Sequence, residues 1–284
     1  MTTWFITGAS SGLGAALARA VLDHGHNAVI TARNTGQVQG LADAHPDSAL
    51  VLPLDVTDHD QVVAAVIAAT KWFGSIDVLM NNAGHGYRAA VEEAAVDEVD
   101  GLFATNFFGP VDLIKQVLPQ MRERRSGTII NVSSIGAPRS NPASGYYTAT
   151  KAALEGMSDA LNREVAPLGI RVMVLEPGAF RTDFAGRSLT QSRTVIDDYA
   201  GTAGKRRKEN DRVHGTQPGD PDRAAQAIIA TVEGEQAPFR LLLGTDAIQI
   251  VRDELQGRID EIDAWAHVSV TTGFPRDGGE EDGA

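Results

Sequence analysis

No cysteine occurs anywhere in the 284 residues. That absence removes disulfides, thiolate metal sites and cysteine nucleophiles, and it is compatible with a reducing compartment. Long apolar runs are missing as well, and nothing approaches the roughly 18–20 residues that cross a bilayer. A glycine motif beginning at Gly8 leaves no room for a secretory leader ahead of it, so a cytoplasmic protein without a membrane partner is expected. Positive charge is in deficit: 25 Lys and Arg face 37 Asp and Glu, a formal net charge of −12. Such a surface argues against nucleic acid as a partner. His24, His26, His45, His59, His85, His214 and His267 are scattered without ligand spacing, so no metal site is expected, and His85 is read as a surface residue.

What is present is a 43% hydrophobic, 22% charged chain, the balance of a globular protein with a large core and a small-molecule task. Short β-rich runs at 3–7, 27–31, 49–55, 76–82, 127–134, 170–178 and 239–244 alternate with longer helical patterns at 12–25, 58–73 and 145–168. Most of the runs are apolar without alternation, as strands buried on both faces read. Strand–helix–strand repetition of this length implies an α/β, doubly wound fold: seven parallel strands with helices on both faces.

Residues 182–218 interrupt the rhythm with a long, polar, Gly-rich stretch after the sixth strand, read as a substrate loop or lid. Its Lys205-Arg206-Arg207-Lys208 cluster is read as a solvated face. Asp220 before Pro221 caps a helix over 220–234, and 246–269 reads as a final amphipathic helix. A single domain over 1–275 is expected, with a disordered tail at 276–284.

TGASSGLG (7–14) follows the first strand and opens a helix, with Gly8, Gly12 and Gly14 as its glycines. A turn of this kind lets backbone N–H groups, here those around Ser10, Ser11 and Leu13, approach a pyrophosphate at a helix N-terminus. At the end of the second strand, where a dinucleotide site usually carries an acid for the adenosine ribose, the sequence has Ala32 followed by Arg33. Loss of the acid removes repulsion of a 2′-phosphate, and a guanidinium can pair with it. NADP(H) is therefore expected over NAD(H).

With these motifs the sequence resembles the short-chain dehydrogenase/reductase family: TGASSGLG, LDVTD (54–58), NNAG (81–84), Asn106 in TNFFG, SS (133–134), YTATK (147–151) and PGAFRT (177–182) agree in order and spacing. EPGAFRTDFAGRSL and FRLLLGTDA also resemble a 17β-hydroxysteroid dehydrogenase-like branch of bacterial oxidoreductases. The resemblance implies that Asp55 and Val56 flank an adenine and that Asn82, Ala83 and Gly84 line the ribose side and support the central strands. It implies too that Pro177, Gly178 and Thr182 hold the nicotinamide end. It further implies dimers or tetramers formed through helices including 111–125 and 145–168.

Hydride transfer to a ketone or aldehyde also needs a proton donor. A free phenol, with a pKa near 10, is poorly matched to that work unless a cation favours its ionised form. Tyr147 precedes Lys151 by four residues and shares its helix face, whereas Tyr146 precedes neutral Thr150. Tyr147 is accordingly the expected acid/base and Tyr146 a packing residue. Lys151 is expected to lower the Tyr147 pKa and to grip the nicotinamide ribose. Strand alternation lets only one of Ser133 and Ser134 face the site; the family spacing favours Ser134 as the group that holds the substrate oxygen. Asn106, expected within a helix, matches the family residue that anchors a water relay to Lys151, although an asparagine bridging helices reads equally as structure. An NADPH-dependent carbonyl reductase or secondary alcohol dehydrogenase is expected. An NAD-dependent enzyme working oxidatively and a non-catalytic NADPH sensor are the alternatives.

Overall fold

The computed structural model of the chain describes residues 1–213 and 215–274, so His214 and the expected tail at 276–284 lie outside the described residues. The chain runs β1 (Thr3–Ile6), α1 (Gly12–Asp23), β2 (Asn27–Ala32), α2 (Gln39–Ala44), β3 (Ala49–Pro53), α3 (His59–Phe73), β4 (Val78–Asn81), β5 (Gly86–Arg88), α4 (Val96–Phe103) and α5 (Gly109–Arg124). It continues through β6 (Gly127–Val132), α6 (Gly145–Val165), β7 (Ile170–Pro177), β8 (Leu189–Gln191), α7 (Lys205–Val213), α8 (Pro221–Glu233), β9 (Arg240–Leu243) and α9 (Thr245–Ser269).

Seven of these strands form one parallel sheet in the order β3-β2-β1-β4-β6-β7-β9. Within each strand, alternate side chains enter different cores. Trp4 and Ile6 pack with α1 and α8, while Phe5 between them packs with α3 and α5. Ala28 and Ile30 against Val29, and Val78 and Met80 against Leu79, divide in the same way. That division explains the unbroken apolar runs: neither face meets water, and each fully buried Leu, Ile or Phe contributes about 1.5–3 kcal/mol. Side-chain caps fix the start of two helices. Asp58 accepts from Gln61 N at 3.1 Å at the start of α3, and Asp220 accepts from Asp222 N at 2.9 Å ahead of Pro221 at α8.

The strand order reverses between β1 and β4. The helices that follow those two strands, α1 and α5, pack on opposite faces, which opens a crevice at the carboxyl edge of the sheet. None of the described helices is long and apolar enough to cross a membrane.

Two features differ from the sequence reading. The 182–218 segment is folded: β8 pairs in parallel with β5, matching Gly86, Tyr87 and Arg88 with Leu189, Thr190 and Gln191, and α7 follows. The basic cluster is not a uniformly solvated face. Lys205 and Lys208 are exposed, but Arg207 is buried and pairs with Glu93, whose side chain is 0% exposed. The pairing spans 114 residues of sequence, beyond the reach of local charge patterning.

Candidate active site

The crevice is a cleft of about 1490 Å³. Its floor is the turn after β1, where Gly8 adopts φ +65 and Gly12 φ +57. A side chain on Gly8 would sit 2.8 Å from Ala83 Cα, so the first turn and the NNAG turn after β4 pack backbone to backbone. Asn82 locks them, its Nδ2 donating to Thr7 O at 2.9 Å and Gly8 O at 3.1 Å. Ser10, Ser11, Gly12 and Leu13 face the cleft, while Gly14 is buried behind them. Ser11 is the N-cap of α1 but its side chain caps none of the first-turn N–H groups. An uncapped helix start beneath close-packed glycines fits a pyrophosphate.

One side of the cleft is lined by Arg33, Asp55, Val56, Ala83 and Gly84. Arg33 stands exposed immediately after β2, with Ala32 buried beside it. Asp55 Oδ1 accepts from Thr57 N at 3.0 Å and Thr57 Oγ1 at 2.7 Å, which fixes the carboxylate at the rim. On the opposite side Pro177 and Gly178 leave β7, and Thr182 lies against the glycine loop: a Cβ on Gly12 would be 3.1 Å from Thr182 Cβ. Asp246, at the start of α9, accepts from Ala179 N at 2.8 Å and holds this turn in place. Nothing local in the sequence marks Asp246 for that work; it reaches Ala179 across 67 residues.

α6 carries both Tyr147 and Lys151 into the cleft wall, 7% and 5% exposed. Tyr146 turns away, stacks edge-on against Tyr87 at 6.4 Å and donates to Val91 O at 3.0 Å. The two serines part just past β6. Both line the cleft, but Ser133 is buried and its hydroxyl is spent on Glu155 Oε1, whereas Ser134 is half-buried. Ser134 Oγ accepts from Gly136 N at 2.9 Å, and a Cβ on Gly136 would lie 3.2 Å from Ser134 Oγ and 3.5 Å from Tyr147 Cε1. Glycine at 136 therefore keeps the space between hydroxyl and phenol open. The Phe184 ring covers Tyr147 at 5.8 Å.

Lys151 Nζ donates to Val132 O at 2.8 Å and lies 5.9 Å from the centre of the Tyr147 ring. Burial pushes the Tyr147 phenol up, and the groups opposing that shift are Ser134 and the charge of Arg88. Lys151 itself is pulled down to about 8 by burial, with the Glu155 carboxylate one turn further along α6 favouring its charged form.

That value has a measurable consequence. A fall from 10.5 to about 8 corresponds to a folding penalty of about 3 kcal/mol for the charged lysine in the cofactor-free protein. The penalty is complete below pH 8 and vanishes above 10.5, because between those limits the unfolded chain holds the proton that the folded chain has released. Loss of the Val132 hydrogen bond offsets about 1 kcal/mol. Lys151→Met is therefore expected to melt higher than wild type at pH 7, by about 2 kcal/mol. The advantage should shrink as pH rises through 8–10.5, as calorimetry across that range would register.

Asn106 is fully buried, and not in a regular helix: it sits in a π-helical turn, Ala104–Phe108, between α4 and α5. Its Nδ2 donates to His85 O at 2.9 Å and Thr150 Oγ1 at 3.3 Å, and its Oδ1 accepts from His85 N at 3.0 Å. The widened turn aims the side chain at the NNAG loop, so that Asn106 bridges α6 and the loop. Gly84 separates it from Lys151; a Cβ there would lie 3.1 Å from Asn106 Oδ1 and 3.5 Å from Lys151 Nζ. His85, read as a surface residue, instead forms part of the cleft wall, where burial lowers its pKa.

The glycine loop, the cleft and the Ser134, Tyr147, Lys151 constellation coincide with a match to the family model for short chain dehydrogenase over residues 2–193. The chain belongs to the short-chain dehydrogenase/reductase family. It is an oxidoreductase of that family. It is 37% identical over 270 residues to oxidoreductase BOA17 of Botryotinia fuckeliana, covering 95% of this chain and 98% of the relative. A short-chain dehydrogenase from Streptomyces avermitilis has the same fold with a TM-score of 0.90 at 40% identity, covering 96% of this chain and all of that one. An alcohol dehydrogenase from Thermococcus sibiricus complexed with 5-hydroxy-NADP gives a TM-score of 0.70 at 25% identity, covering 86% and 96%.

Proposed function

We propose that this short-chain dehydrogenase/reductase is an NADPH-dependent carbonyl reductase, reversible as a secondary alcohol dehydrogenase. The observation that carries the reading is one cleft holding an uncapped, glycine-lined helix start together with half-buried Ser134 and buried Tyr147 and Lys151. The bound nicotinamide supplies the hydride in reduction and accepts it in oxidation. Gly8, Ser10, Ser11, Gly12 and Leu13 would hold the pyrophosphate, Asp55 and Val56 the adenine, and Pro177, Gly178 and Thr182 the nicotinamide end.

In the proposed reduction Ser134 Oγ donates a hydrogen bond to the carbonyl oxygen and stabilises the charge that develops there. Tyr147 gives up its phenolic proton to that oxygen. The Lys151 ammonium, close to the ring of Tyr147, favours the resulting phenolate and binds the ribose beside it. Lys151 would then pass a proton to the Tyr147 phenolate, and Asn106, which fixes the His85 backbone, would support a water relay that returns a proton to Lys151. Phe184 over Tyr147 excludes bulk water from the transfer. Dimers or tetramers formed through α5 and α6 belong to the same proposal.

Arg33 supports the choice of NADP(H), since an exposed guanidinium beside a buried alanine offers a 2′-phosphate a partner and no repulsion. Arg33→Ala is expected to raise KM for NADPH about tenfold, on the scale of one charge-assisted contact, while KM for NADH stays within about twofold. Steady-state kinetics with both cofactors and a panel of ketones, aldehydes, steroids and alcohols tests the whole reading. Binding of NADPH without turnover anywhere in the panel would contradict it, and a preference for NAD+ would favour an oxidative enzyme.

A further inference from the structure

Charge around the substrate end of the cleft is not evenly matched. The acidic side chains there are already engaged. Asp97 and Glu98 pair with Arg193 at 2.6 and 3.1 Å, Asp183 with Arg187 at 2.9 Å, and Glu93 with Arg207. Arg88 and Arg206 each keep an unsatisfied Nε among the described residues. Arg88, on β5, is 9% exposed and makes one hydrogen bond, from NH1 to its neighbour Tyr87 O at 3.2 Å. Its Nε is buried with no partner, and it has no carboxylate within 4 Å among the described residues. Arg206 is one-third exposed and lines the cleft with Gln217 and Tyr147. Among the described residues its Nε is likewise buried without a partner, and its one carboxylate contact is a salt bridge to Glu209 at 3.5 Å. The Gln217 Oε1, in the same cleft lining, is buried and unpartnered among them too.

Leaving the buried Arg88 guanidinium without a counter-ion is costly, and the nearby charge of Arg206 adds to that cost. Arg88 also lies near enough to Tyr147 to act on its phenol. An arginine on the cleft wall with an unsatisfied Nε, next to a buried arginine that has no carboxylate among the described residues, is what an oxyanion of a bound substrate would complete. We propose that Arg206, backed by Arg88, forms an anion subsite next to Tyr147, and that the substrate is a carbonyl compound bearing a carboxylate or phosphate. This rests on the carbonyl-reductase reading of the same cleft. The apolar wall of Phe180 and Phe184 then holds the carbon chain between the reacting carbonyl and the anion.

The test compares matched pairs under saturating NADPH: acetoacetate with its methyl ester, 4-oxopentanoate with its methyl ester, and dihydroxyacetone phosphate with dihydroxyacetone. At least one anion should exceed its neutral partner about tenfold or more in kcat/KM, on the scale of one good charged contact. The successful pair identifies the class as carboxylate or phosphate. Arg206→Gln and Arg88→Gln should each reduce that preference about tenfold through KM, and Arg88→Lys should restore part of it. Neutral partners used as well as or better than every anion would overturn the proposal while leaving carbonyl reduction intact. So would a rise in the Kd for NADPH, followed by its fluorescence, that matches the loss in the arginine variants, because the guanidiniums would then serve the cofactor phosphates. If NADPH binds and the whole panel is inert, the functional reading fails and melting of the cofactor-free protein decides the subsite. Inorganic phosphate and acetoacetate should raise the Tm of wild type more than that of Arg206→Gln, and equal shifts in the two proteins would dismiss it.

Discussion

Tyr147→Phe is expected to cut kcat by at least about 100-fold, the usual scale of a lost general acid, with little change in fold. The substitution removes one hydroxyl. The ring keeps its contact with Phe184 and its place in the cleft wall, and the stability cost of the lost polar contact with Ser134 is about 1 kcal/mol or less. Binding of NADPH should persist, so that titration separates a chemical defect from a binding defect. Tyr146→Phe is the matched control. It gives up the hydrogen bond to Val91 O, costing about 1 kcal/mol of stability without a comparable loss of turnover. Near-wild-type turnover in the Tyr147 variant would remove that residue from the mechanism, whatever its position.

The second large effect is expected far from the reacting atoms. Glu93 sits at a junction: its carboxylate accepts from Ala90 N at 2.7 Å, from Ile196 N at 2.9 Å and from the Arg207 guanidinium, which also donates to Ser192 Oγ at 2.9 Å. Glu93→Ala would strand Arg207 without its counter-ion. Breaking a buried pair from one side costs about 3–5 kcal/mol, here shared between the fold and the docking of the 192–213 segment. A lower Tm, a raised KM and faster tryptic cleavage after Lys205 and Lys208 should appear together. Burial works to raise the Glu93 pKa, but the Arg207, Ile196 and Ala90 donors outweigh it and hold the carboxyl below its ordinary 4.5. The stabilisation is accordingly present above pH 4.5 and lost as pH falls through the lowered value. Wild-type cleavage in this segment should stay slow through neutral pH and accelerate only in acid. An unchanged Tm in Glu93→Ala would show that the pair contributes nothing net.

The sequence and the structure agree most closely where local signals are strong. Strands such as 127–132 and 170–177 feed two cores, and an uninterrupted apolar run is the direct mark of that arrangement. The helical step from Tyr147 to Lys151 and the glycines after β1 are likewise local geometry, readable within a few residues. What was not legible depends on partners distant along the chain. β5 and β8 are three residues each, too short for any period, and each exists because of the other. Arg207 looks solvated beside Lys205, Arg206 and Lys208 until Glu93, 114 residues earlier, is brought against it. The π-turn that aims Asn106 adds a single residue to a helical path, and no composition signal announces it. The bond from Lys151 to the Val132 carbonyl, at the end of β6, joins two elements 19 residues apart and is equally invisible in the four-residue step.

The pairing of β5 with β8 bears on how this enzyme could change its substrate. The ladder fixes residues 189–191 to the scaffold, and the bond from Arg181 N to Gly219 O at 2.9 Å closes the base of the segment. Between these two anchor points the Glu93–Arg207 pair and the bond from Ile196 N to Glu93 form a third latch. Away from that latch a change of length costs little, because loop closure costs grow only slowly with length, and variation that spares Arg207 is expected to change the lining of the cleft while the sheet stays intact. A library spread across the whole of 182–218 would instead spend most of its members on unlatched proteins.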